Sequence, residues 1–181
     1  MKTLALIFIL IALPISADEP SVPVKSIVAS SMQMFKVPSD FIVRAADKMP
    51  EESYSFRATA DVRTFGEILG HIADGYRLVC GIAAGDAMPK DIREIEKTKK
   101  TKAELVAALR ENAAYCEEVH RRLDGVAGAE VVDFFGKPYA RASLLFFNTS
   151  HAWEHYGNLV TYMRLKDVLP PSSEPKKKES K

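Results

Sequence analysis

Cysteine, tryptophan and histidine are scarce in this 181-residue chain, at two, one and four copies, and its charges almost cancel. Lys+Arg 25 against Asp+Glu 24 leaves a formal charge of +1, which gives no electrostatic basis for binding nucleic acid or an anionic membrane surface. Cys80 and Cys116 stand too far apart for a zinc ribbon. Beyond the first residues no apolar run approaches the ~20 residues needed to span a bilayer. Neither an internal repeat nor an alternating strand pattern stands out. What remains is hydrophobic content of 47%, enough for a substantial core in one domain of ordinary charge content.

The N-terminus is a separate object. Lys2 precedes an unbroken apolar run from Leu4 to Leu13, followed by Pro14, Ile15, Ser16, Ala17 and Asp18. A basic start, a short apolar centre and a small-residue end predict a signal peptide, residues 1–17, cleaved after Ala17. The protein is then exported to a periplasmic or extracellular space, with no stable membrane insertion after cleavage. At the other end Pro170 and Pro171 are followed by Lys176, Lys177, Lys178 and Lys181, which predicts a disordered basic tail over 172–181.

Between them, in a domain placed at residues 22–171, four stretches carry helical periodicity. The first runs from about Val24 to Met49, with a kink or break expected near Val37 because Pro38 lies inside it. Thr64-Phe65-Gly66-Glu67 is a capping box that opens a second helix with Phe65, Ile68, Leu69, Ile72, Tyr76, Val79 and Cys80 on one stripe, ending near Gly85. Gly85 to Lys100 is a long crossover that can hold a short helix. A second box, Thr101-Lys102-Ala103-Glu104, opens the third helix, whose inner face runs from Leu105 through Asn112 and Cys116 to Leu123. Val131 to Tyr139 is short, and Val131, Val132, Phe134 and Phe135 are expected to plug one end of the bundle. The fourth helix spans about Arg141 to Lys166. A connection as long as the crossover permits parallel helices, so helices two and three are expected to run parallel. That would bring Cys80 and Cys116 to similar heights, as a disulfide in an oxidising compartment or as two buried thiols.

His151 and His155 lie four apart on the fourth helix, on the face shared by Leu144, Asn148, Leu159 and Tyr162. Two imidazoles in a core each have two ring nitrogens to satisfy, and a metal satisfies one on each; i, i+4 histidines are a common metal-ligand spacing. A hydrogen-bonded pair of core histidines is the alternative. His71, on the flank of the second helix beside Ile68 and Ile72, is the candidate third ligand. His120, beside Arg121 and Arg122, is expected in solvent. Three imidazoles with no fourth protein ligand describe an open site for zinc, nickel or iron(II). His151-Ala152-Trp153-Glu154-His155 also matches the inverted zinc-protease signature, but only Asp167, Glu174 and Glu179 follow as acidic ligands, and the last two lie in the tail. Glu154 is therefore read as a flanking residue.

Three segments carry a resemblance. They are Asp47-Lys48-Met49-Pro50-Glu51-Glu52-Ser53-Tyr54-Ser55-Phe56-Arg57, then Phe65-Gly66-Glu67 leading to Gly70-His71-Ile72-Ala73-Asp74, and Glu154-His155-Tyr156-Gly157-Asn158-Leu159-Val160 with Arg164-Leu165. In that order and spacing the chain resembles the DinB-like superfamily of metal-binding bundle proteins. The resemblance implies an all-α fold, a four-helix bundle of up-down-down-up order with a long crossover between helices 2 and 3. It also implies a divalent metal on one histidine of helix two and two of helix four, which map onto His71, His151 and His155. Relatives of this kind are described as metal-dependent hydrolases, and some look like S-transferases or isomerases using a low-molecular-weight thiol; dimers are common among them. A metal-dependent hydrolase or transferase acting on a small-molecule substrate follows as the expectation, with a non-enzymatic metal-binding or stress-associated protein as the alternative. The signal peptide departs from the pattern and weighs against a cytoplasmic thiol. Asn148 and Tyr156 are candidate pocket residues, with purely structural roles as the competing reading.

Overall fold

The computed structural model describes residues 24–123 and 125–175. The predicted signal peptide and the lysines of the tail lie outside them. Four long helices form the bundle: α1 (Val24–Lys48), α2 (Phe65–Ala84), α4 (Lys102–Arg122) and α6 (Arg141–Leu165), with short α3 (Glu94–Thr98) and α5 (Gly125–Ala129) in the connections. Both capping boxes form. Thr64 and Thr101 each accept the amide of the glutamate three residues on, and that glutamate reaches back to the cap. Gly85 ends α2 at φ 91°, a left-handed value that glycine adopts without steric penalty.

Contacts along the helices fix their directions. Gly66 faces Leu105 where α2 and α4 begin, and a disulfide joins Cys80 to Cys116 near their ends, so the two run parallel. Phe35, midway along α1, stacks on His120 near the end of α4, while Lys102 at the start of α4 reaches the carbonyls of Asp47 and Met49 at the end of α1, so α1 opposes α4. His71 meets His155, and Gly85 meets Arg141, so α2 opposes α6. The order is up-down-down-up. The core runs the length of the bundle through Phe35, Ile42, Leu69, Leu109, Leu144 and Leu159, all at most 1% exposed; burial of side chains this size is worth about 1.5–3 kcal/mol each.

Four local expectations change. α1 continues through Pro38 without a break, because Phe35 and Ile42 on either side are fully buried and hold both halves on the bundle despite the missing N–H. The 131–139 stretch is an antiparallel hairpin, β1 (Val131–Phe134) with β2 (Lys137–Ala140). It turns on Phe135 and Gly136, both at positive φ, as in a two-residue hairpin loop. Phe134 enters the core and Val132 is partly buried, while Val131 and Phe135 remain 68% and 58% exposed; half of the expected plug faces outward. His120 is 3% exposed rather than solvated, because α4 packs against α1 as well as α2 and so buries a wider stripe. Finally, Pro171–Ser173 forms a helical turn, and Glu174 pairs with Arg44 and with Lys48, so the first residues of the predicted tail are anchored on α1. Among the described residues, no helix is long and apolar enough to cross a membrane.

Candidate metal centre

α2 supplies His71 and α6 supplies His151 and His155, all on the facing sides of an antiparallel pair. The Nε2 atom of His151 lies 3.2 Å from Nε2 of His71 and 3.0 Å from Nε2 of His155. Among the described residues this is the one group of three or more His, Cys, Asp or Glu with ligand atoms mutually within 4.8 Å. Nitrogens about 2.0–2.1 Å from one ion stand roughly 2.8–3.0 Å apart in octahedral and 3.3–3.4 Å apart in tetrahedral arrangements, a range that contains the observed spacings. The rings meet edge to face, at interplanar angles of 68° to 87°, so no two occupy the same plane around the common point.

Hydrogen bonding alone satisfies this arrangement poorly. A ring nitrogen carries either one proton or one in-plane lone pair. Nε2 of His151 faces two other Nε2 atoms and can make a well-aligned hydrogen bond with only one of them, so the second contact is at best a bent share of the same proton or lone pair. A cation at the centre accepts all three lone pairs together. The imidazoles have the required charge state: burial, then the charge of Arg63 and the neighbouring rings, pulls His71 down to about 4. Burial and His155 bring His151 to about 4 as well. Burial lowers His155 too, against the pull of Glu154 in the other direction. All three are neutral at pH 7.

A second layer surrounds them. Glu96 of α3, only 6% exposed, places a carboxylate oxygen 3.7 Å from His71 Nδ1, on the side where a carboxylate fixes the tautomer of a metal-bound histidine. Burial works to raise its pKa, but hydrogen bonds from Arg93 at 3.0 and 2.8 Å and from Arg63 at 3.0 Å outweigh it and keep the carboxylate ionised. The Asn158 amide lies 3.3 Å from His155 Nδ1; with Nε2 on a metal, that nitrogen keeps its proton and the amide turns its oxygen to it. Nδ1 of His151 is buried without a hydrogen-bond partner.

Two glycines of α2 make room, one for His151 and one for Glu96. A Cβ at Gly75 would stand 2.8 Å from Cε1 of His151, and one at Gly70 would stand 2.7 Å from the Glu96 backbone. The side chain of Asp74, between them, accepts the amides of Ile95 and Glu96 at 3.0 and 2.9 Å and docks α3 on α2. Glu96, Arg63 and Gly75 were not singled out from sequence, and Gly70 and Asn158 entered only as members of the segments that carry the resemblance. The two glycines did leave a signal, because mid-helix glycine costs about 1 kcal/mol relative to alanine and these flank His71. Glu96 left none, lying in a crossover with no periodicity to orient it.

The other candidates fall elsewhere. Asn148 is fully buried beside the disulfide, its amide 3.3 and 3.5 Å from the two sulfurs. Tyr156 donates to Ser172. Both are structural. His120 donates its Nδ1 proton to the Cys116 carbonyl at 2.8 Å, away from the cluster. Glu154 is exposed on the rim of a cleft of about 590 Å³ that opens on His155.

The sequence model of the DinB superfamily matches residues 40–159, well over half of the chain. A crystal structure of a DinB-like protein from Bacillus cereus superposes at a TM-score of 0.68 and 19% identity, over 79% of this chain and 95% of that one. One from Bacillus subtilis gives 0.66 and 17%, over 82% and 99%. The mycothiol-dependent maleylpyruvate isomerase gives 0.64 and 14%, over 73% of this chain and 60% of that one. No curated protein sequence is significantly similar.

Proposed function

The chain belongs to the DinB superfamily, and from that premise we propose that His71, His151 and His155 hold a divalent metal ion in an exported, metal-dependent hydrolase. The observation that carries this is the meeting of three Nε2 atoms in a contact that hydrogen bonds satisfy only with poor geometry. A divalent ion on three neutral imidazoles supplies Lewis acidity and lowers the pKa of bound water. The donor set suits zinc, nickel or iron(II).

The chain's own residues do the rest. Glu96, clamped by Arg63 and Arg93, orients His71. Asn158 holds the far nitrogen of His155. The cleft brings a small molecule to the exposed side of the cluster. A protein that merely stores metal would be expected to close its shell, yet no fourth His, Cys, Asp or Glu joins the three among the described residues, and a substrate-sized cleft abuts His155. Water, rather than a cytoplasmic thiol, is the nucleophile in this reading. The signal-like N-terminus and the Cys80–Cys116 bridge both suit an oxidising compartment.

Metal analysis of purified protein beside His151→Ala tests the ligand set. Near-stoichiometric metal in the wild type and little in the variant is expected; equal content in both would reject the assignment. Turnover of esters and lactones by the metal-loaded protein tests the hydrolase. If only thiol-acceptor pairs react, the protein is a transferase, and if a loaded protein turns over no class, it is a binding protein.

A further inference from the structure

The cleft beside His155 has its two inner carboxylates committed, two more on its exposed rim, and guanidinium donors left over. Of its carboxylates, Glu96 is held by Arg63 and Arg93, and Glu67 accepts the amide of Thr64 at 2.7 Å as half of the capping box. Asp61 and Glu154 stand on the exposed rim. The Tyr162 hydroxyl donates to the Arg63 carbonyl at 2.6 Å. The arginines are less engaged. Arg63 uses Nε on Glu96, and among the described residues its two terminal nitrogens have no hydrogen bond. Arg57 makes only long contacts, 3.4 Å to Glu67 and 3.5 Å to the Ala60 carbonyl. Both line the same cleft as His155, and the charge of Arg63 is felt by all three imidazoles. A ligand lodged between Arg57 and Arg63 meets free donors and is matched by acceptors, and a cation at the cluster would offset the carboxylates of the rim.

We propose that this cleft binds a small molecule carrying an oxyanion group, a carboxylate or a phosphate, which Arg57 and Arg63 hold while the rest of the molecule faces the three histidines. The arginines select the substrate class and are binding residues, separate from the chemistry at the cluster. This rests on the metal reading above, and guanidinium–oxyanion pairs are the strong, directional kind of hydrogen bond such a site would use.

The test is calorimetric titration of zinc-loaded and zinc-free protein with inorganic phosphate, succinate and uncharged succinamide. Succinate or phosphate should bind the loaded protein, and which of the two binds tells carboxylate from phosphate. Succinamide should not bind. Arg57→Gln and Arg63→Gln should each weaken the anion tenfold or more. Arg110→Gln, on another face and paired with Asp47, should leave anion binding unchanged. Zinc content is measured on every sample, so a variant that has lost its metal is recognised as such. Binding that needs zinc but ignores both arginine substitutions would overturn the proposal, since the anion then sits on the metal alone. Equal binding of succinamide, or no anion binding by a zinc-loaded protein, would also overturn it. A protein that takes no zinc defeats the metal reading instead, and anion binding that still depends on Arg57 and Arg63 in that protein would uphold the oxyanion cleft by itself.

Discussion

Replacing Gly75 with alanine separates the metal site from the fold. The added Cβ would sit 2.8 Å from Cε1 and 3.1 Å from Nδ1 of His151, whereas non-bonded carbons rest at about 3.5–4.0 Å. The ring must retreat by roughly 0.7 Å or more, and Nε2, on its far side, moves with it. Metal–ligand bonds tolerate only about 0.2 Å, so one of three ligands is pulled out of register. Zinc affinity should fall at least tenfold, about 1.4 kcal/mol. The metal-free protein should hardly notice: alanine gains about 1 kcal/mol of helix propensity over glycine, which offsets the local crowding. Gly157, on the exposed face of α6 with nothing within 4 Å of its added Cβ, is the control. Gly157→Ala should raise stability by up to about 1 kcal/mol and leave affinity unchanged. Competition with a chromophoric chelator measures the affinity, urea unfolding of metal-free protein the stability. Wild-type zinc affinity in Gly75→Ala would refute the reasoning, because the ring would then have had room to spare.

Other outcomes follow from the same structure. Glu96→Gln should keep the fold but lower metal affinity by about 10- to 100-fold, the usual effect of losing an outer-layer partner; an unchanged dissociation constant would remove Glu96 from the site. Reducing the Cys80–Cys116 bridge, which closes a separation of 36 residues, should cost about 4 kcal/mol by loop-entropy arithmetic, read as a lower urea midpoint in reductant; coincident curves would show the bridge to be energetically idle. Metal-free protein should lose stability as pH falls from about 6.5 toward 4. His71 and His151 titrate near 4 when folded but near 6.5 when unfolded, so the unfolded chain takes up more protons across that window and stability rises with pH. His151→Ala should flatten the slope, and a wild-type midpoint that does not move between pH 7 and 5 would contradict the burial argument.

The outline of the bundle was readable because its signals are local. Two Thr-x-x-Glu boxes begin α2 and α4, Gly85 ends α2, and the stripes of α2 and α4 show which sides face inward. The length of the crossover was enough to suggest parallel α2 and α4. His151 and His155 declared themselves by spacing on an apolar face. Where single-helix periodicity was applied to a helix with two neighbours, it failed: His120 lies on the second buried stripe of α4, which only the position of α1 reveals. The hairpin was missed because four-residue strands are too short to show alternation.

By itself the sequence determined the helices, their caps and the pairing of two histidines along one face, since each depends on residues within a turn or two of one another. It did not determine how far His71 reaches toward that pair, or which way its far nitrogen looks. Those were decided by α2 and α6 packing antiparallel at Gly75, and by α3 settling against Gly70 and Asp74 to bring Glu96 and its arginines alongside. Such distances depend on how closely two backbones approach, and a chain records that only as the absence of a side chain.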